Sequence, residues 1–201
     1  MKDILVLTAD KRAELMLKTL MDRLAKSEKI REFDFDVIAH PRRDPGVANQ
    51  SVEYVRPYIK DYRFLLVLFD HEGSGKEKKA KLDLELQIEK ELDNNGWQDR
   101  NACILFEPEL ESWLWVNKVH LHQVMDWEHQ EDVYQWIKTK GFSFINSKPV
   151  RPKEAFYSAL KFQDIPRSPS LYVTIARQAD YKNCIDPSFQ KFINTIRTWI
   201  P

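Results

Sequence analysis

Cysteine is scarce in this chain of 201 residues: Cys103 and Cys184 are the only two. They lie far apart with no metal-ligand spacing, so neither a disulfide framework nor a cysteine zinc site is expected, and both thiols are expected to be reduced. An excess of one charge is also missing. The 31 basic and 31 acidic side chains leave a formal net charge of zero, which argues against a nucleic-acid binder that uses its whole surface, though not against a local basic patch. No apolar run nears the roughly 20 residues needed to span a bilayer. The run at 4–7 (ILVL) is far shorter than the core of a secretory signal. A cytoplasmic protein with no membrane partner is therefore expected. Internal repeats and low-complexity segments are absent, and a composition of 43% hydrophobic and 31% charged residues is that of an ordinary globular chain long enough to bury a core.

What is present is organised around residues 64–75, FLLVLFDHEGSG. Six apolar residues end abruptly in Asp70, His71 and Glu72, with glycines on either side of Ser74. Such a run reads as a buried parallel strand whose C-terminal end opens into a site, the end at which open α/β sheets bind ligands. Three similar units flank it. Residues 4–7 form a strand ending at Thr8-Ala9-Asp10, followed by a helix over 11–29. Residues 33–39 form a second strand, polar at its start, then a Pro- and Gly-containing loop (His40 to Gly46) and a helix over 47–62 that Pro57 shortens. After the central strand, 76–95 is the strongest helical pattern, and 102–106 is a fourth strand running into Glu107-Pro108-Glu109-Leu110-Glu111. Four strand-loop-helix units in series predict an α/β core over residues 1–117 with a parallel sheet and right-handed crossovers. Beyond 116 the strand signals stop, and 118–201 reads as a helical C-terminal extension packed on the core, with helices at 131–140, 153–161, 170–178 and 188–199. Asp186 and Pro187 are a strong start signal for the last of these.

Asp10, Asp70, Glu72, Glu107, Glu109 and Glu111 all fall at C-terminal strand ends. Carboxylates gathered on one rim repel one another unless a cation neutralises them, and Mg2+ (or Mn2+) is the usual solution. For Glu109 and Glu111, capping of a helix N-terminus competes evenly with a role in the site. Asp70 with Glu72 is the firmer pair, because a strand ending in Asp-x-Glu-Gly has little structural need for both acids. Gly73-Ser74-Gly75-Lys76 is not a nucleotide-triphosphate loop: Asp70 stands where that motif needs a glycine, and Glu77 where it needs Ser or Thr. His40, Arg42 and Arg43 are candidates for contacting a phosphate on the same rim, with a packed loop histidine as the competing reading of His40. His120 and His122, two residues apart, point to opposite sides of a helix and make a poor zinc site. Trp113 and Trp115 read as core. Residues 140–182 carry eight bases (Lys140, Lys148, Arg151, Lys153, Lys161, Arg167, Arg177, Lys182) against three acids, a basic tail suited to a phosphate backbone.

Together these stretches resemble a Toprim-like family of small bacterial proteins associated with restriction and phage-defence genes. The resemblance is carried by Leu7-Thr8-Ala9-Asp10-Lys11, Asp70-His71-Glu72-Gly73, the Glu107-to-Leu114 segment, Lys148-Pro149 and Ile185 to Phe189. It implies a Rossmann-like Toprim core that binds magnesium through an acid after the first strand and an Asp-x-Asp-type pair after the third. Asp70 and Glu72 match that pair. The first position departs from the pattern, with Ala9 followed by Asp10 where Toprim proteins carry Glu, so Asp10 is the stand-in. The resemblance thus implies a metal-dependent phosphodiesterase or nuclease acting on DNA or RNA, an anti-phage effector, with Asp70, Glu72, Asp10 and Glu107 as metal ligands and catalytic groups. Ala9 motivates the competing expectation of a catalytically degenerate subunit that binds a partner protein or ligand in a defence complex.

Overall fold

The computed structural model describes residues 1–26, 30–116, 118–178, 181 and 184–201. Strands β1 (Lys2–Thr8), β2 (Phe35–Ala39), β3 (Tyr62–Asp70) and β4 (Asn101–Phe106) form a parallel sheet in the order β2-β1-β3-β4. The register pairs Thr8 with Ala39 on one side and Leu68 on the other, and Asp70 with Phe106. All four C-terminal ends therefore lie on one rim, and the architecture is the α/β, Rossmann-like core with C-terminal helices expected from the sequence.

Alternation along the strands sorts two cores. Ile4, Val6, Leu66, Leu68, Ile104 and Phe106 face one side, where they pack with Met16 and Leu17 of α1 (Lys11–Ala25) and with the C-terminal half of the chain. Leu5, Leu7, Leu65, Val67 and Leu105 face the other, under α2 (Arg43–Val55) and α3 (Lys81–Leu92). A continuous apolar run is what a strand covered on both faces requires. The C-terminal half contributes α4 (Lys118–Met125), α5 (Val133–Thr139), α6 (Pro152–Phe162), α7 (Pro169–Gln178) and α8 (Pro187–Trp199). Trp113, Phe156, Ile175 and Phe192 from this half share one apolar cluster with the sheet. Trp113 and Trp115 are buried, as core residues should be. Asp186 caps α8 through the Phe189 amide.

Three local differences from the sequence reading have physical causes. A short antiparallel hairpin, β5 (Phe144–Ile145) and β6 (Lys148–Pro149), lies where helices alone were expected; strands of two residues are too short to give a periodic signal. α3 begins at Lys81 because residues 71–80 are held in a turn, with Gly73 and Gly75 at φ 83° and 77° and both amides donating to Glu77 Oε1. α2 begins earlier than the periodicity indicated, at Arg43. It does so because Gly46 lets the helix pass over His40, where a Cβ would lie 2.1 Å from the ring Nδ1.

The β4 edge is covered without another strand. Glu85 and Glu89 of α3 accept from the Leu105 and Cys103 amides at 2.8 Å each, and Lys191 of α8 donates to the Cys103 carbonyl at 2.7 Å and to both glutamates. Side chains thus satisfy the backbone groups an edge strand exposes. No helix is long and apolar enough to cross a membrane among the described residues.

Candidate metal centre

Each strand end delivers at least one acid to the rim. After β1, Asp10 caps α1: its Oδ1 accepts from the Arg12 and Ala13 amides at 2.9 and 3.0 Å, and its Oδ2 takes two bonds from the Arg12 guanidinium at 3.0 and 2.7 Å. Burial acts to raise this carboxyl, but the two amides and the Arg12 charge outweigh it and hold it below the usual range. After β2, Asp44 sits in the first turn of α2 and accepts from the Asp70 amide at 2.9 Å. At the end of β3, Asp70 Oδ1 accepts from the Leu110 amide at 2.8 Å.

The turn after β4 is drawn beneath Asp70 by backbone bonds, His71 N to Phe106 O and Glu72 N to Pro108 O, both 3.0 Å. That turn carries Glu109 and Glu111 inward, at 4% and 1% exposure. It is pinned from the core side by Trp113, whose indole donates to Ser188 Oγ at 2.7 Å. Oxygens of Asp70, Glu109 and Glu111 lie within 4.8 Å of one another, a group that could hold a divalent cation.

A cation of the chain itself reaches this group. Lys153, in the first turn of α6, bonds Glu109 through both its amide and its ammonium, and the ammonium lies 3.9 Å from Asp70 Oδ2 and 3.8 Å from Glu111 Oε2. Burial acts to lower the Lys153 ammonium, but the surrounding Glu111, Glu109 and Asp70 charges raise it above the ordinary lysine value. On the other side, Glu111 Oε1 accepts from the Tyr172 hydroxyl at 2.5 Å and lies 3.6 Å from Arg12 Nη1. The negative charge is not fully compensated. Burial first, then the charges of Asp44 and Glu111, push Asp70 well above the usual carboxylate range. Burial likewise raises Asp44 and Glu111, helped by Asp10 in one case and Glu109 in the other.

The sequence-derived candidates divide. Asp70 stands at the centre. Asp10 is on the rim but committed to its cap and to Arg12. Glu72 and Glu107 are exposed and outside the carboxylate group, because the strand-end turns face them outward while Asp70, Glu109 and Glu111 turn in. Glu109 and Glu111 both turn into the carboxylate group, and Glu109 also accepts from the Lys153 amide in the first turn of α6. His40 is buried, 4% exposed, with its ring against Tyr54 and its Nδ1 accepting from the Arg42 amide at 3.1 Å. Burial foremost, and then the Arg42 charge, lowers its pKa, so it orders the loop that presents Asp44. Arg42 and Arg43 are exposed on that loop. Of the basic tail, Lys153 goes to the carboxylates, Lys148 pairs with Asp186 at 2.5 Å, Arg167 stacks on Tyr157 at 4.0 Å, and Lys182 lies outside the described residues. His122 Nε2 accepts from the Val133 amide at 3.0 Å, and neither His120 nor His122 belongs to a metal-competent group among the described residues.

Asp44 and Lys153 escaped the sequence reading. The signal for Asp44 was its place in the loop after a strand, one residue from two arginines. Lys153 was read only as one base of the tail, and its place among the carboxylates had no signal, since it comes from a helix 83 positions beyond Asp70. No family model, curated protein or solved structure matches this chain.

Proposed function

We propose that the protein is a Mg2+- or Mn2+-dependent phosphodiesterase of Toprim type acting on DNA or RNA, and an effector in phage defence. The observation that carries the reading is the convergence of Asp70, Glu109 and Glu111, three oxygen donors within 4.8 Å of one another at the C-terminal rim of a parallel sheet. The donor set is all carboxylate, which suits a hard divalent cation and not zinc or copper. A divalent cation bound there supplies Lewis-acid activation of a phosphoryl oxygen and a more acidic coordinated water. Asp70 and Glu111 would hold it, Lys153 would neutralise the remaining acid charge beside the phosphate, and Arg42 and Arg43 would steady the polyanion from the rim.

Lys153 also favours a second reading. An ammonium already among the three carboxylates can serve as their permanent counter-ion, which fits a degenerate subunit that binds a partner protein or ligand, as Ala9 suggested. Incubation of the purified chain with plasmid and total RNA, with and without Mg2+ or Mn2+, separates the two. Metal-dependent cleavage that is lost in Asp70→Asn supports the phosphodiesterase; intact, folded protein that cleaves neither nucleic acid under any of these conditions supports the subunit.

A further inference from the structure

The carboxylate group borders a small recess whose lining does not include Lys153. The recess is lined on its polar side by Thr8, Asp10, Asp44, Asp70 and Glu111, with Arg12, against apolar side chains that include Phe69, Phe106 and Leu110, and has a volume of about 10 Å³. That is room for about one water-sized sphere, hence for a cation bound directly to side-chain oxygens and not for one inside its hydration shell. One oxygen of a residue that lines it, Thr8 Oγ1, is buried with no hydrogen-bond partner, while Glu111 Oε2 makes no hydrogen bond and has the Lys153 ammonium at 3.8 Å. Their residues are 0% and 1% exposed. A buried polar atom without a partner costs about 1–3 kcal/mol, and a ligand in the recess would supply Thr8 Oγ1 with one.

Building on the metal-dependent reading, we propose that the divalent cation is held in this recess by Thr8, Asp44, Asp70 and Glu111, while Lys153 remains as the second, built-in cation of the site. Each of the four parallel strands then supplies one oxygen ligand: Thr8 ends β1, Asp70 ends β3, Glu111 follows β4, and Asp44, which follows β2 and lies outside the group of oxygens within 4.8 Å of one another, closes on the ion. Charge favours a cation there over a water. The side-chain cations at ion-pair distance from Asp10, Asp44, Asp70, Glu109 and Glu111 among the described residues are Arg12 and Lys153, so five acids share two positive charges. Glu109, engaged by Lys153, does not line the recess, and the Asp10 carboxylate is filled by its cap and Arg12. The ligand set therefore differs from the acids alone: it adds a hydroxyl and Asp44 and leaves Glu109 to the lysine.

Binding of Mn2+ to the full chain, followed by loss of the free-ion paramagnetic resonance signal, tests this without any reaction. Thr8→Val is isosteric and removes no charge, and Asp44→Asn keeps the acceptor for the Asp70 amide. Each is expected to weaken Mn2+ binding by at least about ten-fold, and Glu109→Gln by clearly less, with thermal unfolding confirming that all three fold. Unchanged affinity in Thr8→Val and Asp44→Asn would overturn the proposal in favour of a water in the recess. A larger loss in Glu109→Gln than in either would place the cation where Lys153 now is, and a wild-type chain that binds no Mn2+ would also overturn it. Mn2+ binding that follows the expected order in a protein that cleaves no nucleic acid would leave this site standing and remove only the phosphodiesterase reading.

Discussion

The backbone amide of Asp70 donates to Asp44 Oδ1 at 2.9 Å, so the acid that ends the central strand is oriented by an acid from the neighbouring loop. The bond brings two carboxyls together, and the negative charge of Asp44 is among the forces that raise Asp70. Asp44→Ala removes the acceptor and leaves a buried amide unpaired, which should destabilise the fold by about 1–3 kcal/mol. Asp44→Asn keeps the bond while removing a charge, and should be neutral or stabilising without metal. Urea unfolding of both variants checks the contrast; equal loss in the two would show that charge, and not the hydrogen bond, matters at Asp44.

The raised carboxyls set a pH dependence of definite sign. Asp70, Asp44 and Glu111 hold their protons more tightly in the fold than in the unfolded chain. Their stabilising contribution is complete below the unfolded carboxyl value of about 4 and is lost as pH rises through the folded values. Asp70→Asn, which keeps the acceptor for the Leu110 amide, should therefore be more stable than the wild type at pH 7 in chelator, and the gain should shrink as pH falls toward 4. Denaturant midpoints across that range measure it. A gain that grows toward low pH would contradict the direction assigned to Asp70.

Lys153 is the opposite case. Removing one partner of a buried ion pair costs about 3–5 kcal/mol, and with its side chain 28% exposed the expected loss for Lys153→Met is nearer about 2 kcal/mol after solvent screening. The loss should diminish at low pH, where the facing carboxyls are protonated. It should also fall when Glu109 is changed to Gln in the same chain, because the two residues form one interaction. A double-mutant cycle in urea reads both effects, and full additivity would refute the coupling.

Much of this arrangement was written in the strand pattern. The runs ending at Thr8, Asp70 and Phe106 gave the parallel sheet and the rim, because a strand buried on both faces must be continuously apolar and its C-terminal end must be polar. Asp70 stood out for the same reason. What the pattern could not give was the facing of residues in the turns beyond the strands. Glu72 and Glu107 look equivalent to Asp70, Glu109 and Glu111 in sequence, and the two backbone bonds from His71 and Glu72 to the β4 turn decide which of them point inward. Lys153 and Tyr172 reach Glu109 and Glu111 from helices whose packing on the sheet has no local signal. Sequence order alone made the tail look like a basic surface, whereas Lys148 and Lys153 are consumed by internal acids.

The loop that carries Asp44 depends on a contact that can be tested separately from charge. A Cβ on Gly46 would meet His40 Nδ1 at 2.1 Å and His40 Cε1 at 2.4 Å, and the ring is packed against Tyr54 with centroids 4.4 Å apart. Gly46→Ala must push the ring or the start of α2 outward, at about 1–3 kcal/mol for an overpacked core. Truncating the ring relieves the His40 part of that clash and leaves the 2.7 Å approach to Arg42 Cβ, so His40→Ala should be less harmful in the Gly46→Ala background than in the wild type. Because α2 starts at Arg43, the displacement moves Asp44 away from the Asp70 amide. Hydrogen exchange at that amide should accelerate in Gly46→Ala and recover in part in the double variant. If exchange is unchanged while stability falls, the His40–Gly46 contact serves the helix alone, and Asp44 is positioned by its bond to Asp70.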